Sequence, residues 1–289
     1  MGGERPARVP VSTYRLQLHR GFGFRDAQAL IPYLAALGVS ECYLSPVLAA
    51  RPGSDHGYDI VDHSRLSPEL GSEEDFRELA RTLASHGMGL ILDFVPNHMA
   101  ADPAANHFWR DVLENGPSAL SAHFFDIDWD PIVTALKNKL LLPILGDQYG
   151  IELEAGRLQL RHNNGSFWLE YYDRSLPLNP RSVRQILRYE LERLEEEMGS
   201  SDPHLLELRS ILFQLEQTPA YTETDPKLIE DRHRETRVAR ERLANLAGNC
   251  ARISRHIEDN VRIFNGRPGE PSSFLLLHEL LEDQAYRLA

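Results

Sequence analysis

Gly89-Leu90-Ile91-Leu92-Asp93-Phe94-Val95-Pro96-Asn97-His98 decides how this chain is read. Gly89–Val95 is apolar almost throughout, which predicts a strand buried on both faces, the habit of a parallel sheet. The run then breaks at Pro96 and leaves Asp93, Asn97 and His98 at the strand's C-terminal end. Working backwards, Gly87 marks the end of a helix whose start is capped by Ser72, with Asp75 three residues on as a variant capping box. Before a Gly/Pro/Asp loop lies Glu41–Val47 (ECYLSPV), a second strand closed by Pro46. Asp26–Leu37 reads as a helix with Leu30, Leu34 and Leu37 on one face and Gly38 as its stop. Ser12–Leu18 (STYRLQL) is β-branched and aromatic, a first strand. Strand, helix, strand, helix, buried strand predicts parallel βα units.

Forwards, the pattern changes. From Asn97 to Pro180 turn residues recur, as in Asn115-Gly116-Pro117, Ala155-Gly156 and Asn163-Asn164-Gly165. Between them, Arg157–Arg161 and Ser166–Tyr172 look like short strands, so the segment is expected to be irregular or β-rich. Val183, Leu187, Leu191, Leu194 and Met198 then recur at helical spacing. Asp202-Pro203 and Asp225-Pro226 each match an N-cap followed by proline in the first turn. Arg181 to Ile263 is expected to be a run of charged amphipathic helices, and Ser272 to cap a last helix through Leu288. The expected division is thus 1–96, 97–180 and 181–289.

The chain has 289 residues, 42% of them hydrophobic and 26% charged, with net charge −12 and pI near 5.5. This acidic balance argues against nucleic acid or an anionic membrane as partner, since both need basic patches. No apolar run nears the ~20 residues of a membrane span. Met1 to Pro10 lacks the apolar segment of a signal peptide. Cys42 and Cys250 show no metal-type spacing, which favours a reducing, cytoplasmic compartment and neither a disulfide framework nor a zinc site.

Asp93, Asn97 and His98 bring a carboxylate, an amide and an imidazole to one strand end, a set suited to a hydroxylated ligand. His56-Gly57-Tyr58-Asp59, in the loop after the second strand, adds a ring able to stack on the apolar face of a sugar and a glycine for a sharp turn. Taken singly, the first set equally fits a capped strand end and the second a tight turn with a packing tyrosine. Their joint placement at two neighbouring strand ends favours a pocket.

DFVPNH and HGYD together resemble the first conserved region and the stacking-tyrosine loop of the α-amylase superfamily (glycoside hydrolase family 13). STYRLQL, YLSPV, GSDHGYDIVDH, HFFDIDW (His123–Trp129), LPILGDQYG (Leu142–Gly150) and LLLHELLEDQAYRLA (Leu275–Ala289) resemble the maltooligosyl trehalose synthases within it. The resemblance implies an α/β fold: an incomplete (β/α)8 TIM barrel represented by its first three strands, an irregular or β-rich insertion after strand 3, and a helical insertion. It implies a maltooligosaccharide or α-1,4-glucan substrate and intramolecular transglycosylation of the reducing-end α-1,4 linkage to α,α-1,1. No cofactor is implied; in some relatives the position of Asn97 helps bind calcium, but no oxygen-ligand cluster in this sequence calls for a metal, and the functional pairing would be with a maltooligosyl trehalose trehalohydrolase. By residue, Tyr58 matches the ring stacked on the sugar, His98 the histidine on its hydroxyls, and Asp93 and Asn97 the polar pair of the same region. His56 and Asp59 match neighbours of the stacking loop.

The superfamily's nucleophile, acid/base and third carboxylate follow the fourth, fifth and seventh strands, and no matching motif is found here. The 289 residues are therefore expected to be an N-terminal portion that is inactive alone. Asp126, Asp128 and Asp130, like Glu279 and Glu282, read as loop and helix surface rather than substitutes. Another α-glucan hydrolase or transglycosidase of the superfamily, or a glucan-binding module without catalysis, are the alternative readings.

Overall fold

A computed structural model describes residues 9–289. Most of the stretch 1–10 therefore lies outside the described residues. The chain divides into two compact units, one ending at Asn106 and the other running from His107 to Ala289.

In the first unit the elements are β1 (Thr13–Leu16), α1 (Phe24–Ala36), β2 (Glu41–Leu44), β3 (Leu48–Ala50), β4 (Ile60–Leu66), α2 (Glu73–Ser85) and β5 (Gly89–Leu92). β1, β2 and β5 form a parallel sheet in that order, with Thr13 beside Glu41 and Cys42 beside Leu90. Parallel neighbours need a crossover, and α1 and α2 supply both. The Ser72–Asp75 capping box starts α2, Ser72 Oγ accepting from the Asp75 N–H at 3.1 Å. Gly38 and Gly87, both at positive φ, follow the two helices. The core is formed by Leu16, Leu18, Phe24, Ile31, Leu34, Cys42, Leu44, Leu79 and Leu83.

Two expectations are corrected here. The buried stripe of α1 is Phe24, Ala27, Ile31 and Leu34, whereas Leu30 and Leu37 are exposed. Both stripes fit helical spacing, and the inward one is chosen by tertiary packing. β5 is not buried on both faces: it is an outer strand of this sheet and Leu92 is 44% exposed.

The second unit contains α3 (His107–Asn115), β6 (Leu140–Leu142), α4 (Tyr149–Glu154), β7 (Leu158–Asn163), β8 (Ser166–Tyr171), β9 (Arg174–Pro177), α5 (Val183–Arg188), α6 (Leu191–Met198), α7 (Pro203–Gln217), α8 (Pro226–Asn249), α9 (Ala251–Phe264), α10 (Leu275–Glu282) and β10 (Tyr286–Leu288). β7, β8 and β9 form an antiparallel sheet. Asn164 and Gly165, both at positive φ, make the two-residue hairpin turn between β7 and β8. Asp202 and Asp225 cap α7 and α8 as expected, each Oδ1 accepting from the N–H two residues on. One hydrophobic core joins Leu158, Leu160, Phe167 and Leu169 to Ile211, Leu243, Ile253 and Leu280, so residues on both sides of the expected division at 180 share it. The tail departs from expectation. Ser272 does not cap a helix through Leu288; α10 ends at Glu282 and β10 pairs in parallel with β6, Tyr286 beside Leu140. Among the described residues, no helix is long and apolar enough to cross a membrane.

His162 and His256 of this unit are held below their ordinary value of 6.5, foremost by burial. For His256 the Leu187 carbonyl and nearby acids oppose that shift without cancelling it. A base with a depressed folded pKa takes up its proton more readily when unfolded, so this contribution is intact above pH 6.5 and lost as pH falls below it. The urea midpoint of the chain is expected to drop between pH 7 and about 5, before most carboxylates titrate near ~4. His256→Gln, which keeps a donor towards the Leu187 carbonyl, should flatten that drop. An unchanged pH profile in the variant would count against it.

Candidate functional site

The pairing of β5 with β2 runs one residue past Leu92, because the Asp93 N–H donates to the Leu44 carbonyl at 3.0 Å. That fixes the Asp93 carboxylate at the strand tip. Its Oδ2 accepts from two phenols, Tyr58 at 2.5 Å and Tyr43 at 3.0 Å. Tyr43 stands on β2, beside Ile91 of β5. Tyr58 comes from the loop between the antiparallel strands β3 and β4, whose base is closed by the Arg51 N–H donating to the Asp59 carbonyl at 2.9 Å.

That loop needs glycine at position 57. Its φ is +76°, and a Cβ there would lie 2.8 Å from the Pro46 carbonyl oxygen. The Gly57 N–H donates to Ser54 Oγ at 3.0 Å, and the Ser54 hydroxyl donates to Asp59 Oδ1. His56 Nδ1 accepts from the Tyr58 N–H at 3.0 Å, and the two rings stack with centroids 6.0 Å apart. His98 Nε2 donates to the Tyr58 carbonyl at 3.0 Å. The segment carrying His98 is held against β4, through His63 Nε2 donating to the Val95 carbonyl at 2.8 Å and the Ala100 N–H donating to the Ile60 carbonyl at 2.8 Å.

Of the six residues singled out in the sequence, the structure brings together Tyr58, Asp93, His98, His56 and Asp59. Asn97 is exposed, and its side chain lies outside this hydrogen-bond set. Three polar residues join that sequence reasoning passed over. Arg15 donates from one terminal nitrogen to the Tyr58 hydroxyl at 3.1 Å and from the other to Gln17 Oε1 at 2.8 Å. Gln17 Nε2 donates to the backbone carbonyls of Asp55 and His56 at 3.1 and 3.4 Å. The third is Tyr43. The signal for Arg15 and Gln17 was in STYRLQL: they alternate with Leu16 and Leu18, which are buried, so the two polar residues share the opposite face.

The hydrogen bond it donates to the Tyr58 hydroxyl, ahead of every other influence, raises the Arg15 guanidinium above its ordinary range. The bond to Asp93 does the same for the Tyr43 phenol. Both phenols use Oδ2, and among the described residues no hydrogen bond engages the other Asp93 oxygen, which leaves it an acceptor for a ligand hydroxyl. His98, anchored through Nε2, keeps Nδ1 for the same use. The set offers hydroxyl partners beside an aromatic face, the equipment for holding a sugar. Among the described residues no group of three or more His, Cys, Asp or Glu is arranged to hold a metal ion.

The chain is similar to known proteins over part of its length. Residues 28–146 match the family model described as alpha amylase, catalytic domain. The chain is 46% identical over 142 residues to a putative maltooligosyl trehalose synthase of Mycobacterium tuberculosis, an alignment covering 47% of this chain and 18% of that protein. The solved maltooligosyltrehalose synthase of Arthrobacter ramosus aligns with TM-score 0.52 and 43% identity, over 59% of this chain and 21% of that one. A hypothetical maltooligosyl trehalose synthase of Sulfolobus tokodaii aligns with TM-score 0.50 and 35% identity, over 67% of this chain and 24% of that one. The chain thus spans about a fifth to a quarter of the length of these relatives. Over the residues matched, this chain is similar to the α-amylase catalytic domain, its fold neighbours support a partial TIM-barrel-like α/β domain, and its likeness to maltooligosyl trehalose synthases holds in both sequence and structure.

Proposed function

We propose that this chain is part of a maltooligosyl trehalose synthase, acting in the cytoplasm, and that its first unit grips one glucose unit of a maltooligosaccharide. The observation that carries this reading is that Tyr58 is bonded at both ends within the candidate set, its backbone carbonyl accepting from His98 at 3.0 Å and its phenol donating to Asp93 at 2.5 Å, which supports one cradle of ring, imidazole and carboxylate. Tyr58 stacks on the sugar's apolar face. His98 and Asp93 take its hydroxyls, with His56 and Asp59 shaping the loop. Asn97 is exposed on the adjoining segment, outside this hydrogen-bond set, and no part in the grip is proposed for it.

In the whole enzyme the reaction would be a retaining transfer from an α-1,4 to an α,α-1,1 linkage, using carboxyl groups about 5 Å apart. No residue of this chain is assigned as nucleophile or acid/base. Resolution of the glycosyl-enzyme by the released glucose, rather than by water, requires that glucose to be held close in a closed pocket. The product would pass to a maltooligosyl trehalose trehalohydrolase.

Titration calorimetry of the full chain with maltopentaose and with cellopentaose tests the grip. Binding of the α-linked oligosaccharide and not the β-linked one is expected, and binding of neither would overturn the reading. The chain alone is expected to form no trehalose-capped product from maltopentaose.

A further inference from the structure

We propose that Arg15 is a positioning residue of this cradle: from β1 it clamps the Tyr58 hydroxyl, so that the angle of the ring, and not only its presence, sets affinity for the glucan. The inference rests on the glucan-binding reading above. Tyr58 sits on a loop, where neither helix nor strand packing fixes its side chain. At its backbone end the residue is tied by His56 and His98. At the far end a phenol has one proton to give and lone pairs to accept with. The proton goes to Asp93 Oδ2, and the lone pair takes a proton from Arg15 at 3.1 Å. The two bonds run in one direction, arginine to phenol to carboxylate, and only a donor can occupy the position of Arg15.

The guanidinium is itself fixed. Gln17 Oε1 accepts its other terminal nitrogen, and the cation lies 5.7 Å from the centroid of the Tyr43 ring, within cation–π range. Gln17 in turn holds the loop backbone at Asp55 and His56. One strand face thus pins the loop at its backbone and its ring at the hydroxyl. Arg15 touches no reacting atom in this scheme, and it is exposed. Losing it should leave the fold intact.

A double-mutant cycle tests the clamp, with Arg15→Met and Tyr58→Phe made singly and together in the full chain and maltopentaose affinity read by calorimetry. Arg15→Met is expected to weaken binding about tenfold in the native background, the scale of one hydrogen bond to a charged group. In the Tyr58→Phe background it should change affinity less than about twofold, because the hydroxyl it acts through is gone. Arg15→Lys, which keeps one donor, should recover part of the loss, and the thermal midpoints should agree. Equal weakening in both backgrounds, or none in either, overturns the proposal. If the native chain binds no maltopentaose, the glucan reading falls instead. The clamp is then read from near-ultraviolet circular dichroism of the tyrosines: the native-minus-Tyr58→Phe difference should change shape in the Arg15→Met background, and an unchanged difference overturns it.

Discussion

Tyr58→Ala is expected to weaken maltopentaose binding at least about 100-fold while moving the thermal midpoint by no more than about 2 °C. Two losses add. Removing the ring removes the apolar surface that a sugar face would cover, worth about 2 kcal/mol for a side chain of this size. It also removes the phenol that donates to Asp93 and accepts from Arg15, leaving the carboxylate with Tyr43 alone. One such hydrogen bond is worth about 1 kcal/mol net. Together these make about 3 kcal/mol, and every 1.4 kcal/mol is about tenfold. The fold should hardly notice, because Tyr58 lies on a loop and is no part of the core around Phe24, Leu34 and Leu79. Tyr58→Phe keeps the ring and should lose much less. If Tyr58→Ala binds maltopentaose as the native chain does, the sugar is held elsewhere.

Local signals were legible and distant ones were not. Ser72 with Asp75, Asp202 before Pro203 and Asp225 before Pro226 are caps whose donors and acceptors lie within three residues, and each forms as the sequence implies. β10 was misread as helix because the strand that recruits it, β6, lies more than 140 residues earlier, Tyr286 facing Leu140. In α1 the apolar residues support two overlapping stripes, and only packing against α2 and the sheet selects Ile31 over Leu30. The site divides in the same way. Asp93, Tyr58 and His98 were legible because strand tips gather polar residues. Arg15 and Tyr43 needed knowledge of which strands lie side by side, since β1 beside β2 beside β5 is what lets Arg15 bond the Tyr58 phenol while Tyr43 shares the Asp93 oxygen that the phenol bonds. Asn97 shares the motif but makes no hydrogen bond in the set; it lies exposed in the segment past Val95, which follows β4 through His63 and Ile60.

The second large effect belongs to a residue that periodicity alone would place on a charged helix surface. Arg232→Met is expected to lower the stability of the chain by about 3–5 kcal/mol, the range for breaking a buried charged network by removing one partner. Arg232 lies on α8 and is fully buried. Its Nε donates to Asn115 Oδ1 at 3.0 Å, and its terminal nitrogens donate to the Pro219 carbonyl at 2.6 Å, to Asn179 Oδ1 at 2.9 Å and to the Glu114 carbonyl at 3.4 Å. Burial pulls the guanidinium down to about 10, with Glu114 opposing, so it remains charged at neutral pH. A methionine would spare that desolvation but take this donor from Asn115 Oδ1 and from the Pro219 and Glu114 carbonyls, at about 1–3 kcal/mol for each one left unpaired, while Asn179 Oδ1 keeps only the Arg181 N–H at 3.2 Å. The damage spreads because Asn179 is shared: its N–H donates to Gln284 Oε1 at 2.6 Å and its side-chain amide to the Asp283 carbonyl at 3.0 Å, just before β10. One guanidinium therefore ties the end of α3, the Pro219 segment and the segment after β9, and through Asn179 the turn into the last strand. Urea unfolding followed by far-ultraviolet circular dichroism should show a lower midpoint at an unchanged slope. Arg232→Lys should restore only part of the loss, since an ammonium cannot present a planar fork to acceptors on three sides. A methionine variant within about 1 kcal/mol of the native chain would mean that water enters and satisfies these oxygens, and that the arginine is not their keystone.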